Sequence, residues 1–279
     1  MLSFSVTVNA SSYTTNMRLT RICLPLVCSA LIPACAIPGD APWSDLHVNL
    51  DAAGFRPTLE ASAGNIVTPG INGSFAINSA TEYSDLYGAR IGLAPFELSF
   101  SQFSYSRNQA GVFDGSLDDQ NFTSGTVVDS ALDIGATKIM LGVDVLNTPI
   151  ARVGILAGID LLSFNKFSLT EEGNGIVQNV LVNQEVPIPI IGLRGDIAIP
   201  GTSISLGAEI SGISIDVDEV EASFFDHNIN LSMEIVKNAE VVVGYRTINL
   251  NVDGDIGDTQ IQNMDLSMSG PYFGVSIYF

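Results

Sequence analysis

Beyond residue 45 the chain alternates apolar and polar positions with a period of two. In Asn228–Val236, Ile229, Leu231, Met233 and Ile235 stand opposite Asn228, Asn230, Ser232 and Glu234, the pattern of a strand with one apolar and one polar face. The same alternation runs through Ile191–Ile199 and Tyr83–Leu93, where the polar face carries glycine and arginine, including Arg90 and Arg194. It predicts ten strands: Leu46 to Glu60, Tyr83 to Leu93, Phe96 to Arg107, Asp129 to Val145, Ala151 to Phe164, Ile188 to Pro200, Thr202 to Val217, Phe224 to Val236, Glu240 to Val252 and Met264 to Phe279. Two of them change parity part-way. Ile204, Leu206, Ala208 and Ile210 give way to Ile213, Ile215 and Val217 after Ser211-Gly212, and Met264, Leu266 and Met268 give way to Phe273, Val275, Ile277 and Phe279 across Gly270-Pro271. A β-bulge at each place accounts for the change, and proline at the second cannot donate to the ladder.

Between these strands, Ala94-Pro95, Asn147-Thr148-Pro149, Pro200-Gly201 and Lys237-Asn238-Ala239 read as tight turns. The other connections are long: Ala61 to Glu82, Asn108 to Val128, Asn165 to Pro187, Asp218 to Ser223 and Asp253 to Asn263. Short and long connections alternate, so all the short ones fall at one end of the sheet. That is an all-β, up-and-down antiparallel meander with two unlike ends.

Residues 1–36 read differently. Arg18 and Arg21 precede an apolar run from Ile22 to Ile32 that ends in Ala34, Cys35 and Ala36, the order of n-region, h-region and cleavage site in an export signal. The run is about 11 residues, too short to span a bilayer as a helix. Met17 is an alternative start to Met1. Ala34-Cys35-Ala36 suits the ordinary signal peptidase, while Ile32-Pro33-Ala34-Cys35 resembles a lipobox with an atypical proline, which makes Cys35 a candidate for lipidation. All three cysteines, Cys23, Cys28 and Cys35, lie here, so residues 37–279, read as a single barrel domain, contain no disulfide or thiolate site.

Composition narrows the environment. Of 279 residues 46% are hydrophobic and 15% charged, with no apolar window after the N-terminal region long enough for a membrane helix. The net charge is −19, and loss of Arg18 and Arg21 leaves nine basic residues against thirty acidic ones. Phosphate binding needs a basic surface, so nucleic acid is excluded as a partner.

A soluble β-sandwich also alternates, but its charges would face water. Here Arg90, Arg194 and Arg246 accompany Glu97, Asp160, Asp196, Glu209 and Glu234 on faces rich in glycine and serine, as in a membrane barrel whose apolar face meets lipid and whose charges pair in the lumen. The last strand places Phe273, Val275, Ile277 and the terminal Phe279 at alternate positions. With the export signal, the alternation and the turn asymmetry, this resembles the Gram-negative outer-membrane β-barrels, of the small OmpA- and OmpW-like class, without matching one family inside it. The resemblance implies an outer-membrane location, short periplasmic turns and longer external loops. It also implies a C-terminal signal for the barrel assembly machinery, and membrane lipid and lipopolysaccharide as surroundings. Ten strands enclose a narrow lumen, so a wide porin is not expected, and passage is limited to weak ion or small-solute leakage. Arg90, Arg152, Arg194, Asp196, Glu209, Glu234 and Arg246 are expected to form a lumenal charge network with Lys138. The role implied is structural or surface-interacting.

The alternative is a barrel enzyme acting on envelope lipid or peptide at the external rim. His47 and His227 are the only histidines, and Asp226-His227 is the one catalytic candidate. Together with Asp118-Asp119 it is faintly similar to the acid-plus-histidine site of outer-membrane proteases, but that family separates its acid from its histidine by one residue. No Gly-x-Ser-x-Gly elbow, His-Glu-x-x-His, phosphate loop or dinucleotide fingerprint is present. Asp253, Asp255 and Asp258 put hard oxygen ligands on one loop, beside Asp216, Asp218, Glu219 and Glu221, a composition suited to weak Ca2+ or Mg2+ binding. The run lacks the closing glutamate of an EF-hand loop, and no other cofactor is implied.

Overall fold

The computed structural model describes residues 46–68, 71–117, 120–121, 126–171, 177–217, 220–256 and 259–279. The segment expected to be an export signal, all three cysteines, Asp118-Asp119, Asp218, Glu219 and Asp258 lie outside them. The described residues form thirteen strands: β1 (Leu46–Phe55), β2 (Thr58–Thr68), β3 (Ile71–Thr81), β4 (Ser84–Leu93), β5 (Phe96–Leu117), β6 (Gln120–Asn121), β7 (Thr126–Asn147), β8 (Ala151–Glu171), β9 (Val177–Ala198), β10 (Ile204–Val217), β11 (Val220–Val236), β12 (Ala239–Ile256) and β13 (Thr259–Tyr278).

Every pairing is antiparallel: β1 lies beside β4 and β2 beside β3, β5 follows β3 and β4, β7 to β13 pair in chain order after β5, and β13 returns to β1 and β2, closing the sheet. β1 and β2 make one wall strand, interrupted only at Arg56-Pro57, where Pro57 has no N–H to donate. Both halves keep step with β13, since Phe55 faces Tyr272, the Arg56 N–H donates to the Pro271 carbonyl at 3.0 Å, and Thr58 faces Ser269. β3 and β4 make a second wall strand in the same way, and β6 is a two-residue strand beside β5. The barrel therefore has ten walls.

The turns at one end hold as expected. Asn238 takes a φ of 69° and its amide donates to the Tyr278 carbonyl at 2.7 Å, while Gly201 takes a φ of 78°. The long connections differ from expectation. Most of their length is strand: Ala61 to Glu82 contains most of β2 and all of β3, β5 reaches Leu117 and β8 reaches Glu171. The walls thus rise well above the apolar belt.

Neither expected bulge exists. β10 pairs in unbroken register with β11 from Ile204 to Val217, and β13 pairs without a shift across Gly270-Pro271. The change of parity is instead a change of lining. In the half nearest the tight turns the outer face is apolar, with Leu98, Val143, Ile155, Leu193, Leu206, Leu231, Val243 and Val275 exposed, and the inner face is charged. Higher up the faces exchange character. Ile213, Phe224, Leu250, Leu266, Ala61 and Ile77 face one another strand by strand around the inside, whereas Ser214, Asp216, Glu221, Asn251 and Asp265 are exposed outside. The lower half is a membrane barrel and the upper half is built like a water-soluble one, because lipid surrounds one and water the other.

Among the aromatic residues, Phe96, Phe100, Tyr245 and Phe273 point outward. Phe103 and Tyr105 point inward, and the buried Phe103 packs edge-on against Phe55 at 5.5 Å.

Candidate functional site

Among the described residues, chemistry-bearing side chains converge in the charged lower lumen. Inward parity brings Glu97 on β5, Lys138 and Asp144 on β7, Arg152 and Asp160 on β8, Arg194 and Asp196 on β9, Glu209 on β10, Asp226 on β11 and Arg246 on β12 to the same interior.

Glu97 is the first hub. It accepts from His47 Nε2 at 2.8 Å and from Arg152 Nη1 at 2.6 Å, and Arg194 Nη1 bonds its other oxygen. Arg152 also reaches Asp196 through Nε and Nη2 at 3.0 and 2.8 Å, and Arg194 Nη2 reaches Asp144 at 2.6 Å. Glycines make these reaches feasible. His47 lies flat over Gly92, directly between the two strands it links, and the Arg194 side chain passes over Gly154 and Gly142, where any Cβ would crowd it. The alternation of glycine with arginine in the sequence thus has a mechanical reason.

Asp226 is the second hub. Arg246 binds both its oxygens, at 3.1 and 2.7 Å, in the paired geometry that suits guanidinium to carboxylate. Lys138 bonds Asp226 as well, and reaches Glu209 and Ser211, each at 3.1 Å. The Arg246 guanidinium also sits over the Phe103 ring, 5.2 Å from its centroid, at the boundary with the apolar interior above.

Asp160 stands apart. It is 0% exposed, and neither carboxylate oxygen has a hydrogen-bond partner. Lys138 is directly opposite on β7, but its ammonium is committed to Asp226 and Glu209. An unmatched buried polar group lowers stability by about 1 to 3 kcal/mol. Asp160→Leu is therefore expected to raise the urea midpoint of the folded barrel, read as the heat-modifiable band on a cold gel. A lowered midpoint would mean that Asp160 has a partner.

The lumenal ion-pair network centres on Glu97 and Asp226. Arg152, Arg194, Asp196, Glu209 and Arg246 are in it. Arg90 points into the lumen yet makes no ion pair within 4.0 Å among the described residues. Glu234 shares the inward parity but is exposed at the tight-turn end, opposite Glu240, outside the network. Asp144 is a member that reading the strands singly passes over, and Asp226, read from the sequence as a catalytic candidate, is instead a hub of the network. The only signal of Asp144 is position, on the inward parity of a strand whose outward residues are apolar.

The catalytic candidate is corrected by the fold. Asp226 and His227 are consecutive residues of one strand, so they face opposite sides. Asp226 is enclosed in the lumen, whereas His227 is exposed on the outer wall, stacked on Phe225 at 6.3 Å. They do not share a site. Asp253 accepts from the Asn263 backbone N–H at 3.1 Å, and Asp255 continues β12. Among the described residues no group of three or more His, Cys, Asp or Glu side chains could hold a metal ion.

No protein-family model matches the sequence, and no curated protein matches it. Solved structures do match in fold. The outer-membrane protease OmpT of Escherichia coli aligns over 84% of this chain and 97% of its own, at 12% identity and a TM-score of 0.54. The translocator domain of the autotransporter NalP from Neisseria meningitidis aligns over 85% and 89%, at 12% identity and a TM-score of 0.40. The neisserial surface protein NspA aligns over 85% and 98%, at 13% identity and a TM-score of 0.33. At such identities the likeness concerns the fold alone. A closed ten-stranded antiparallel barrel with a lipid-facing apolar belt is the architecture of the bacterial outer membrane, and the chain is an integral barrel of that membrane.

Proposed function

We propose that the protein is a sealed outer-membrane barrel whose role is structural or surface-interacting rather than conductive. The observation that carries this reading is the interior, which is occupied at two successive levels. Glu97 and Asp226 draw side chains from five other wall strands into ion pairs across the lower lumen. Above them Phe55, Leu59, Tyr105, Ile134, Met140, Phe224 and Met268 form a buried apolar core. Narrow barrels are filled by side chains in this way, and a dry apolar segment opposes ion entry even where the charges below loosen.

The protein reconstituted in planar bilayers is expected to show no steady single-channel current. Large, stable openings would overturn the reading. The upper walls expose acidic residues such as Glu60, Asp216, Glu221, Asp253 and Asp265 to the exterior, and this surface is where we place contact with lipopolysaccharide, bridged by Ca2+ or Mg2+. The barrel assembly machinery is the partner we assign to the outward row Phe273, Val275, Ile277 and Phe279 on the closing strand. A rim enzyme receives no support from Asp226 and His227, which lie on opposite faces of β11.

A further inference from the structure

The ion pairs do not fill the whole lower lumen. They leave a chamber of about 140 Å3, lined toward the tight-turn end by Ser232, Glu240 and Ser276 and extending up to Tyr272. Most charges around it are already matched, as Lys138 to Glu209, Arg152 to Asp196 and Arg246 to Asp226. Three are not. Arg90, Asp51 and Glu240 line the chamber, and among the described residues none of them makes an ion pair within 4.0 Å.

Register sets these three charges apart. Arg90 stands directly opposite Asn49 on β1. Asp51, two residues further along β1, stands opposite Ser276, which in turn stands opposite Glu240. Two residues of strand span roughly 7 Å. A single cation and two carboxylates therefore face one polar space from positions about one small molecule apart. Charges removed from bulk water are costly unless matched, and three that remain unjoined in one enclosure constitute a site with two poles. An anion bound to Arg90 would also face Asp51 and Glu240, and a cation bound to the carboxylates would face Arg90. Asp51 attracts Arg90 across the space without bonding it, and a molecule carrying both charges can bond all three.

We propose that the chamber binds a small zwitterion entering from the tight-turn end, with its anionic group on Arg90 and its cationic group on Asp51 and Glu240. The volume sets the size, since a cavity of about 150 Å3 accepts a molecule as large as benzene. The site is a dead end below the apolar core, so binding requires no conduction and stands whether or not current is observed.

Titration calorimetry on the folded full barrel in detergent tests this with glycine, β-alanine and γ-aminobutyrate, whose charges are progressively further apart. Acetate and methylammonium serve as the separated halves. A saturable heat for at least one zwitterion, absent for both halves and lost in Arg90→Gln, is expected. Glu240→Gln is expected to lose the same heat and carries the test if Arg90→Gln fails to fold. Binding of acetate or methylammonium as tight as that of any zwitterion, no saturable heat with any zwitterion, or unchanged binding in a folded variant would overturn the proposal.

Discussion

Glu97→Ala is expected to destabilise the barrel by about 3 to 5 kcal/mol, because it strands Arg152 and Arg194 without their shared carboxylate in an enclosed space. The loss also removes the Glu97 acceptor of the His47 ring over Gly92. Arg194→Ala and Arg246→Ala are expected to fall in the same range, with Arg246 the milder of the two, since Asp226 retains Lys138 whereas Asp144 loses the cation that Arg194 gives it. A surface acid such as Glu221 supplies the comparison, because exposed charges contribute within about 0.5 kcal/mol. Urea unfolding followed by gel mobility ranks these variants. Equal midpoints for Glu97→Ala and Glu221→Ala would show that the lumenal ion pairs do not hold the fold.

The second large effect lies above the membrane belt. Phe224 is 1% exposed, between Ile213 on β10 and Leu250 on β12. Phe224→Ala removes most of a large side chain from a close-packed interior, with an expected loss of about 3 to 5 kcal/mol. The outcome separates two pictures of the upper lumen. A packed core loses that much, whereas an open apolar passage has few atoms in contact with the ring and loses little. A midpoint unchanged by the substitution, or new ion currents in the parent protein, would favour the passage.

These two effects have the same origin in strand parity, yet they differ in how far the sequence reveals them. Arg194 on the inner face of β9 follows from the apolar residues Leu193 and Ile197 around it, since adjacent positions must alternate between lipid and lumen. The same rule applied to β10 and β13 led to bulges at Ser211-Gly212 and Gly270-Pro271. The premise was that the apolar face always meets lipid. It fails above the belt, where the chain leaves the membrane and the apolar side chains turn inward without any shift in register. Local alternation is identical in the two settings. Only the surrounding medium differs, and no short window of sequence records it.

Asp226 and His227 show the same limit in reverse. Side by side in the chain they suggest an acid and base acting together, but the two-residue repeat of a strand separates them through the wall. The partners that Asp226 has, Arg246 and Lys138, come from strands on either side of it around the barrel, 20 and 88 residues away.

What the sequence by itself determined is everything governed by neighbours in the chain. The ten walls, the tight turns at Pro95, Pro149, Gly201 and Asn238, the lipid-facing rows and the inward direction of Arg152, Arg194 and Arg246 all follow from alternation and turn chemistry. The tertiary structure alone decided which inward charges meet. Closure joins β13 to β1, and the stagger of the strands then sets which rows share a level. That stagger carries Arg194, 97 residues from Glu97, across Gly154 and Gly142 to reach it, while it leaves Arg90 on the lumenal chamber and Asp160 without a hydrogen-bond partner among the described residues. Pairing of buried charges depends on distances of a few ångströms across the lumen, and those distances exist only once the barrel has closed.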